Sequence, residues 1–547
     1  MSFARNSTRM ATILVAACSL VSLAPSLVLA GNETDRPIRL PPFVVYGSRL
    51  KVAHWKWGYM AFPGYEVLSS CGAGATSKFV RNIASQIAIL RDIAPVVLES
   101  PTSVPTALIL MNQEQANAIS DDMRRVMEER PSDSKSRSSG AYSHAIYFPQ
   151  LRLHDSESTA INVVLGPTFG EAVILEPGYI QYLMENRVPR LPAWYVQAMT
   201  DLYRRAVFNY VRGTPNVNGS RSPDSIAVTY PPVTWPSVDN ATDLLPMDEI
   251  LFGSTTAKAG DEASRRRILL WQFQSDLLLQ WVIADESRLR ITALRKFLDC
   301  GKMGQGNEKA FIESFGFGFE EMRRQLRGFL SAAISDAVVL HSWMADLDEP
   351  YRDATPSESV RIWGNWELME IQFVRAQNPL MVYPYVEQAE RTLFDAYNGG
   401  ERDSGFLAVF GLYESDRKDL KQASAILESA VAERSIYPSA YTELARIRFE
   451  EALARPEGGN AKLSDNQVTS ILELLRQARR LCPPQNATYL LFALALGNSS
   501  VEPTAEEFAM LEEGRQFFPD DSALAKVASA LKKGLGGAAS SPEDNIR

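Results

Sequence analysis

The stretch EPGYIQYLMENRVPRLPAWYVQAMTDLY, Glu176 to Tyr203, decides how the chain is read, because two of its prolines sit where helices would begin. Proline has no N–H to donate and a φ already close to the helical value, so a first helical turn tolerates it and a helix interior does not. Pro177 and Pro192 therefore predict a helix, a break and a second helix, with Trp194 set to pack. Working outward, the pattern from Gly170 to about Trp343 is helical, with Pro- and Asn-rich loops at 212 to 247. Arg267 to Ile283 is strongly apolar and aromatic, including Trp271, Phe273, Leu277, Leu278 and Trp281, which predicts a helix buried on more than one side. Phe315-Gly-Phe-Gly-Phe319, within Phe311 to Phe329, predicts a turn or cap leading into a helix from Glu320 to Leu330.

On the N-terminal side, Pro41 to about Leu165 reads as mixed α/β. Phe43–Tyr46, Ala107–Met111, Ala145–Phe148 and Ile161–Leu165 are short apolar runs of the kind that form strands, with a hairpin expected of the last two. Thr76 to Ile93 places Phe79, Ile83, Ile87 and Leu90 on one helical face, and the Ser-rich, charged Glu129 to Gly140 is a loop.

The C-terminal third repeats itself. Ala430 to Ala445 through Pro438, Ala478 to Ala493 through Pro483-Pro484, and Gly514 to Ala528 through Pro519 each set a small residue on a helix, a proline break and a new apolar helix. Leu407, Gly411, Ala423, Leu427 and Ala430 fall close to the spacing of a tetratricopeptide repeat, whose small residues let two antiparallel helices approach. A degenerate α-solenoid is expected, with an irregular helical bundle as the alternative.

The Glu176–Tyr203 segment resembles the active-site region of gluzincin peptidases of the peptidase-MA-like group, where a His-Glu-x-x-His helix precedes a Pro-x-Trp-x-x-Glu-Gly helix. In that group both histidines and the second helix's glutamate hold zinc, and the first glutamate activates its water. Here the Pro-x-Trp framework survives as Pro192 and Trp194, but the ligand glutamate falls on Gln197 and its glycine on Ala198. The histidines fall on Pro177 and Gln181, and the general base on Gly178. Proline and glycine offer no donor side chain, and neutral amides are poor zinc ligands beside imidazole or carboxylate. The resemblance extends to Leu244–Leu251, the helix around Trp271, the Phe311–Leu330 ending, and Trp57 to Ser70, which is similar to an opening segment of exported members. It implies an α+β N-terminal part with a thermolysin-like helical core, followed by an all-α tetratricopeptide-like solenoid. The expected divisions are 1–30, a signal peptide; 31–165, mixed α/β; 166–345, the degenerate gluzincin-like domain; and 346–547, the helical repeats.

The rest of the chain narrows the classes. Arg5 and Arg9, the apolar run Ala11–Leu29 and Ala30 before Gly31-Asn32-Glu33 have the layout of a secretory signal cleaved after Ala30. A membrane anchor and lipidation at Cys18 are the alternatives, and the expected location is periplasmic or outer-envelope associated. With 65 acidic against 56 basic residues and a net charge of -9, no basic run is available to neutralise a phosphate backbone, so nucleic acid is not expected as a partner. Cys71, Cys300 and Cys482 are too few and too widely spaced for a disulfide framework or zinc ribbon, and read as buried single thiols. Among His54, His144, His154 and His341 no two stand at metal-ligand spacing, and His154-Asp155 is the least ordinary. Cys71 to Lys78 does not fit a phosphate loop and predicts a tight turn before a helix, and no Gly-x-Ser-x-Gly elbow occurs. No cofactor is expected. The expected function is an exported, non-catalytic pseudo-peptidase that binds a protein or peptide through its repeats and vestigial cleft. The alternatives are a hydrolase with a relocated active site, or a repeat protein whose N-terminal resemblance is accidental and which would lack a helix pair at 177 to 203.

Overall fold

The computed structural model describes residues 52–94, 102–129, 150–165, 175, 177–185, 187, 190–211, 225–232, 244–253, 262–285, 287–302, 306–335, 338–343, 350–454, 462–500 and 502–538. From residue 50 onward the chain forms one compact unit. A 3₁₀ turn at Val52–His54 precedes β1 (Gly58–Phe62), β2 (Tyr65–Ser69), α1 (Ala73–Ile93), β3 (Thr106–Asn112), α2 (Gln113–Glu129), β4 (Gln150–His154) and β5 (Thr159–Leu165). The middle of the chain supplies α3 (Pro177–Glu185), α4 (Ala193–Arg205), β6 (Val207–Val211), β7 (Ser225–Tyr230), α5 (Met247–Phe252), α6 (Glu262–Ile283), α7 (Leu289–Lys302), α8 (Glu308–Phe315), α9 (Phe319–Ser335) and β8 (Val338–Trp343). After β9 (Arg352–Asp353) the chain is helical: α10 (Pro356–Gln377), α11 (Tyr383–Asn398), α12 (Ser404–Asp416), α13 (Leu420–Ala432), α14 (Pro438–Ala454), α15 (Asp465–Arg479), α16 (Asn486–Gly497), α17 (Ala505–Phe517) and α18 (Ser522–Ala538).

The main sheet runs β4-β5-β3-β2-β1-β9, with β2, β3 and β5 parallel and the outer strands antiparallel. β1 and β2 join through Pro63-Gly64, where Phe62 pairs with Tyr65 and Gly64 takes a φ of +83°, a conformation that costs an L side chain energy and glycine little. Strand alternation sends successive side chains to opposite faces. Val67, Leu108, Leu110, Ile161 and Val163 enter one core with α1, α3, α4 and the helices up to α9. Leu68, Ile109, Met111, Leu153 and Ala160 enter a second core with α10 to α18. Both faces of the sheet are thus covered, as the near-continuous apolar burial of β3 and β5 requires.

The expected helix at 76–93 and the strands at 107–111 and 161–165 lie within α1, β3 and β5. Phe43–Tyr46, Ala145–Phe148, Glu129–Gly140 apart from its first residue, and the N-terminal signal fall outside the described residues. The hairpin partner of β5 is β4, at Gln150–His154. The helical reading of 170–343 needs correction, because β6, β7 and β8 form a three-stranded antiparallel sheet inside it. Their sequences, VFNYV, SIAVTY and VVLHSW, carry the β-branched and aromatic residues of strands, but β8 lies over a hundred positions from its partner, so no local signal joins them. The long apolar helix is α6, buried nearly continuously from Trp271 to Ile283. Gly316, at φ +82°, is the left-handed cap that ends α8 before α9 begins.

In the C-terminal third each proline break falls between helices: Pro438 opens α14, Pro483-Pro484 separates α15 from α16, and Pro519 separates α17 from α18. Capping boxes at Thr355/Glu358, Ser464/Gln467 and Thr504/Glu507 satisfy the first N–H groups of α10, α15 and α17. Small residues mark the close approaches. A Cβ on Gly411 would stand 2.6 Å from the Leu427 side chain of α13, one on Gly364 would stand 2.7 Å from Leu393 of α11, and one on Gly514 would stand 2.6 Å from Tyr489 of α16. Gly411→Ala is therefore expected to destabilise the chain by about 1–3 kcal/mol despite the better helix propensity of alanine. Thermal denaturation checks this, and an unchanged or higher midpoint would refute the close approach.

Candidate functional site

The expected helix pair at 177 to 203 forms as α3 and α4, which pack on one another. Pro177 is the first residue of α3 and Pro192 the N-cap of α4, whose first turn hangs from the Pro192 carbonyl through the N–H groups of Tyr195 and Val196 at 3.0 and 3.2 Å. Trp194 is 1% exposed and meets Tyr195 edge-on, with ring centroids 5.7 Å apart. Pro177, Gly178, Gln181 and Gln197 are all half-buried. The Gln181 side-chain N–H donates to Glu185 Oε1 at 2.6 Å, and the Gln197 amide donates to Asp201 Oδ2. Each amide is thus turned to a carboxylate one helical turn along its own helix.

Next to these positions the polar groups are structural. Tyr179 Oη donates to Tyr65 Oη at 3.0 Å and shares a 3.0 Å hydrogen bond with Thr106 Oγ1, tying α3 to β2 and β3. Tyr203 Oη and the backbone N–H of Leu175 both donate to Gln86 Oε1 at 3.0 Å, tying α4 to α1. Burial pushes the Tyr65 phenol up to about 12 and holds those of Tyr179 and Tyr203 well above the usual range, so these hydroxyls stay protonated donors. His154, the least ordinary histidine, packs at a tilt of 48° against Tyr182 with ring centroids 4.5 Å apart, while Asp155 accepts the N–H groups of Glu157 and Ser158 at 2.8 and 2.7 Å in the β4–β5 turn. Both are absorbed by the hairpin. His144 lies outside the described residues.

Among the described residues no group of three or more His, Cys, Asp or Glu side chains is placed to hold a metal ion. Pro177, Gly178, Gln181 and Gln197 do not fit zinc, since two have no donor side chain and two are amides engaged with carboxylates. Cys71 is buried, and burial pushes its thiol up. Cys300 and Cys482 are only half-buried, which corrects the expectation of three buried thiols. Cys71 to Lys78 is a turn into α1, with Gly72 at the N-cap and Thr76 Oγ1 donating to the Cys71 carbonyl at 3.2 Å. No helix among the described residues is long and apolar enough to cross a membrane.

Two features were not legible in the sequence. The first is the junction between the main sheet and the helical tail. Glu157, 1% exposed at the β4–β5 turn, accepts the Ser439 backbone N–H at 2.6 Å, the Ser439 hydroxyl, and Gln485 Nε2 at 3.0 Å, so it links to the starts of α14 and α16. Burial, and then Asp155, hold its carboxyl well above the usual range. Within α10, burial raises Glu367 to about 7, and burial with Glu367 raises Glu370 to about 8. A carboxyl raised in the fold favours the folded state when protonated, so this stability is complete below the ordinary carboxylate pKa and is lost as pH rises through the raised value. Denaturant midpoints are expected to fall from pH 5 to pH 8. Glu157→Gln should recover on the order of 2 kcal/mol at pH 8 and little at pH 5. A flat wild-type profile, or a variant that is less stable at pH 8, would show the junction works otherwise.

The second feature is a cleft between α13 and α15, floored by α14, with lobes of about 450 and 530 Å³. Both lobes are shallow and largely open to solvent. The lobes share Arg448 and Ser470, and the first has Leu444 and Leu474 on its walls.

No family model, curated protein or solved structure matches the chain.

Proposed function

We propose that the chain is an exported, non-catalytic relative of the gluzincin peptidases, a pseudo-peptidase whose tetratricopeptide-like helices bind a protein or peptide. The observation that carries this reading is the state of the vestigial positions. Where the resemblance expects metal ligands, Gln181 and Gln197 each give an amide N–H to a carboxylate on their own helix. The other two positions, Pro177 and Gly178, have neither a donor atom nor a base. A hydrolytic zinc centre needs imidazole or carboxylate donors and a group to take the water proton. A shallow groove on the helical tail, lined by residues of α13, α14 and α15, supports a binding role.

The test is metal analysis of the purified protein together with a peptide-cleavage assay. Less than a tenth of a zinc ion per chain and no turnover are expected, and tightly held stoichiometric zinc or peptide hydrolysis would overturn the proposal. Gln181→Ala and Gln197→Ala are each expected to shift stability by less than ~1 kcal/mol, since each loses one partly exposed hydrogen bond. Partner capture should be unchanged in both variants. Loss of a defined activity with unchanged stability would restore a catalytic role to these positions.

A further inference from the structure

We draw no further inference here: the strongest candidate, the exposed apolar patch of Phe373, Leu380 and Tyr383 around the turn between α10 and α11, carries nothing because, among the described residues, nothing shows what covers it.

Discussion

Replacing Arg361 by methionine is expected to lower the unfolding free energy by about 3–5 kcal/mol. Arg361, on α10, grips Glu66 of β2 with both guanidinium nitrogens, at 2.7 and 2.5 Å, and the side chains are 13% and 5% exposed. The long aliphatic stem of methionine can fill much of the same volume, so the loss is electrostatic: a carboxylate is left in the interior without its cation. The second core surrounds the pair, and Tyr437 stands beside it. The double variant Glu66→Gln/Arg361→Met should recover most of the loss, because a neutral amide is far less costly to bury than an orphaned charge. Denaturant titrations of the two variants decide it. A single variant within 1 kcal/mol of wild type, or a double variant no better than the single, would mean that the pair contributes little to joining β2 to α10.

Trp194→Ala is the second large effect, expected at about 3–5 kcal/mol from lost apolar burial and the cavity left behind. The indole is fully buried in the first core, and its Nε1–H has no hydrogen-bond partner among the described residues. Packing is therefore its contribution, and Trp194→Phe should recover more than half of the loss. A shift below 1 kcal/mol for the alanine variant would show that the helix pair does not depend on this side chain. Small effects at Gln181 and Gln197 beside a large one at Trp194 would separate what the segment keeps, a packed frame, from what the resemblance says it lacks.

Much of the architecture was legible because it was local. Pro177, Pro192, Pro438, Pro483-Pro484 and Pro519 mark helix breaks by removing a donor, and α1 and α6 declare themselves by their apolar spacing. The runs that became β3 and β5 were short, apolar and bounded by polar or proline residues. What escaped notice was non-local. β8 meets β7 across more than a hundred residues, and β9 returns from beyond α9 to close the sheet edge against β1. The same holds for the candidate sites. Pro177, Gly178, Gln181 and Gln197 could be named from one segment, whereas Glu157 finds Ser439 and Gln485 only 282 and 328 residues further along the chain. A lone glutamate beside an aspartate reads as solvated until the partners arrive.

The main sheet has its two faces filled by segments made at different times. When a ribosome has released the chain through β8, residues such as Leu68, Ile109 and Leu153 have only α2 and the Val52–Trp57 segment on their side, because α10 and the helices after it are still unsynthesised. A chain truncated there would present that half-covered greasy surface permanently and stick to its neighbours. The last third thus acts as the lid on the first, and the two are expected to be inherited, expressed and lost together.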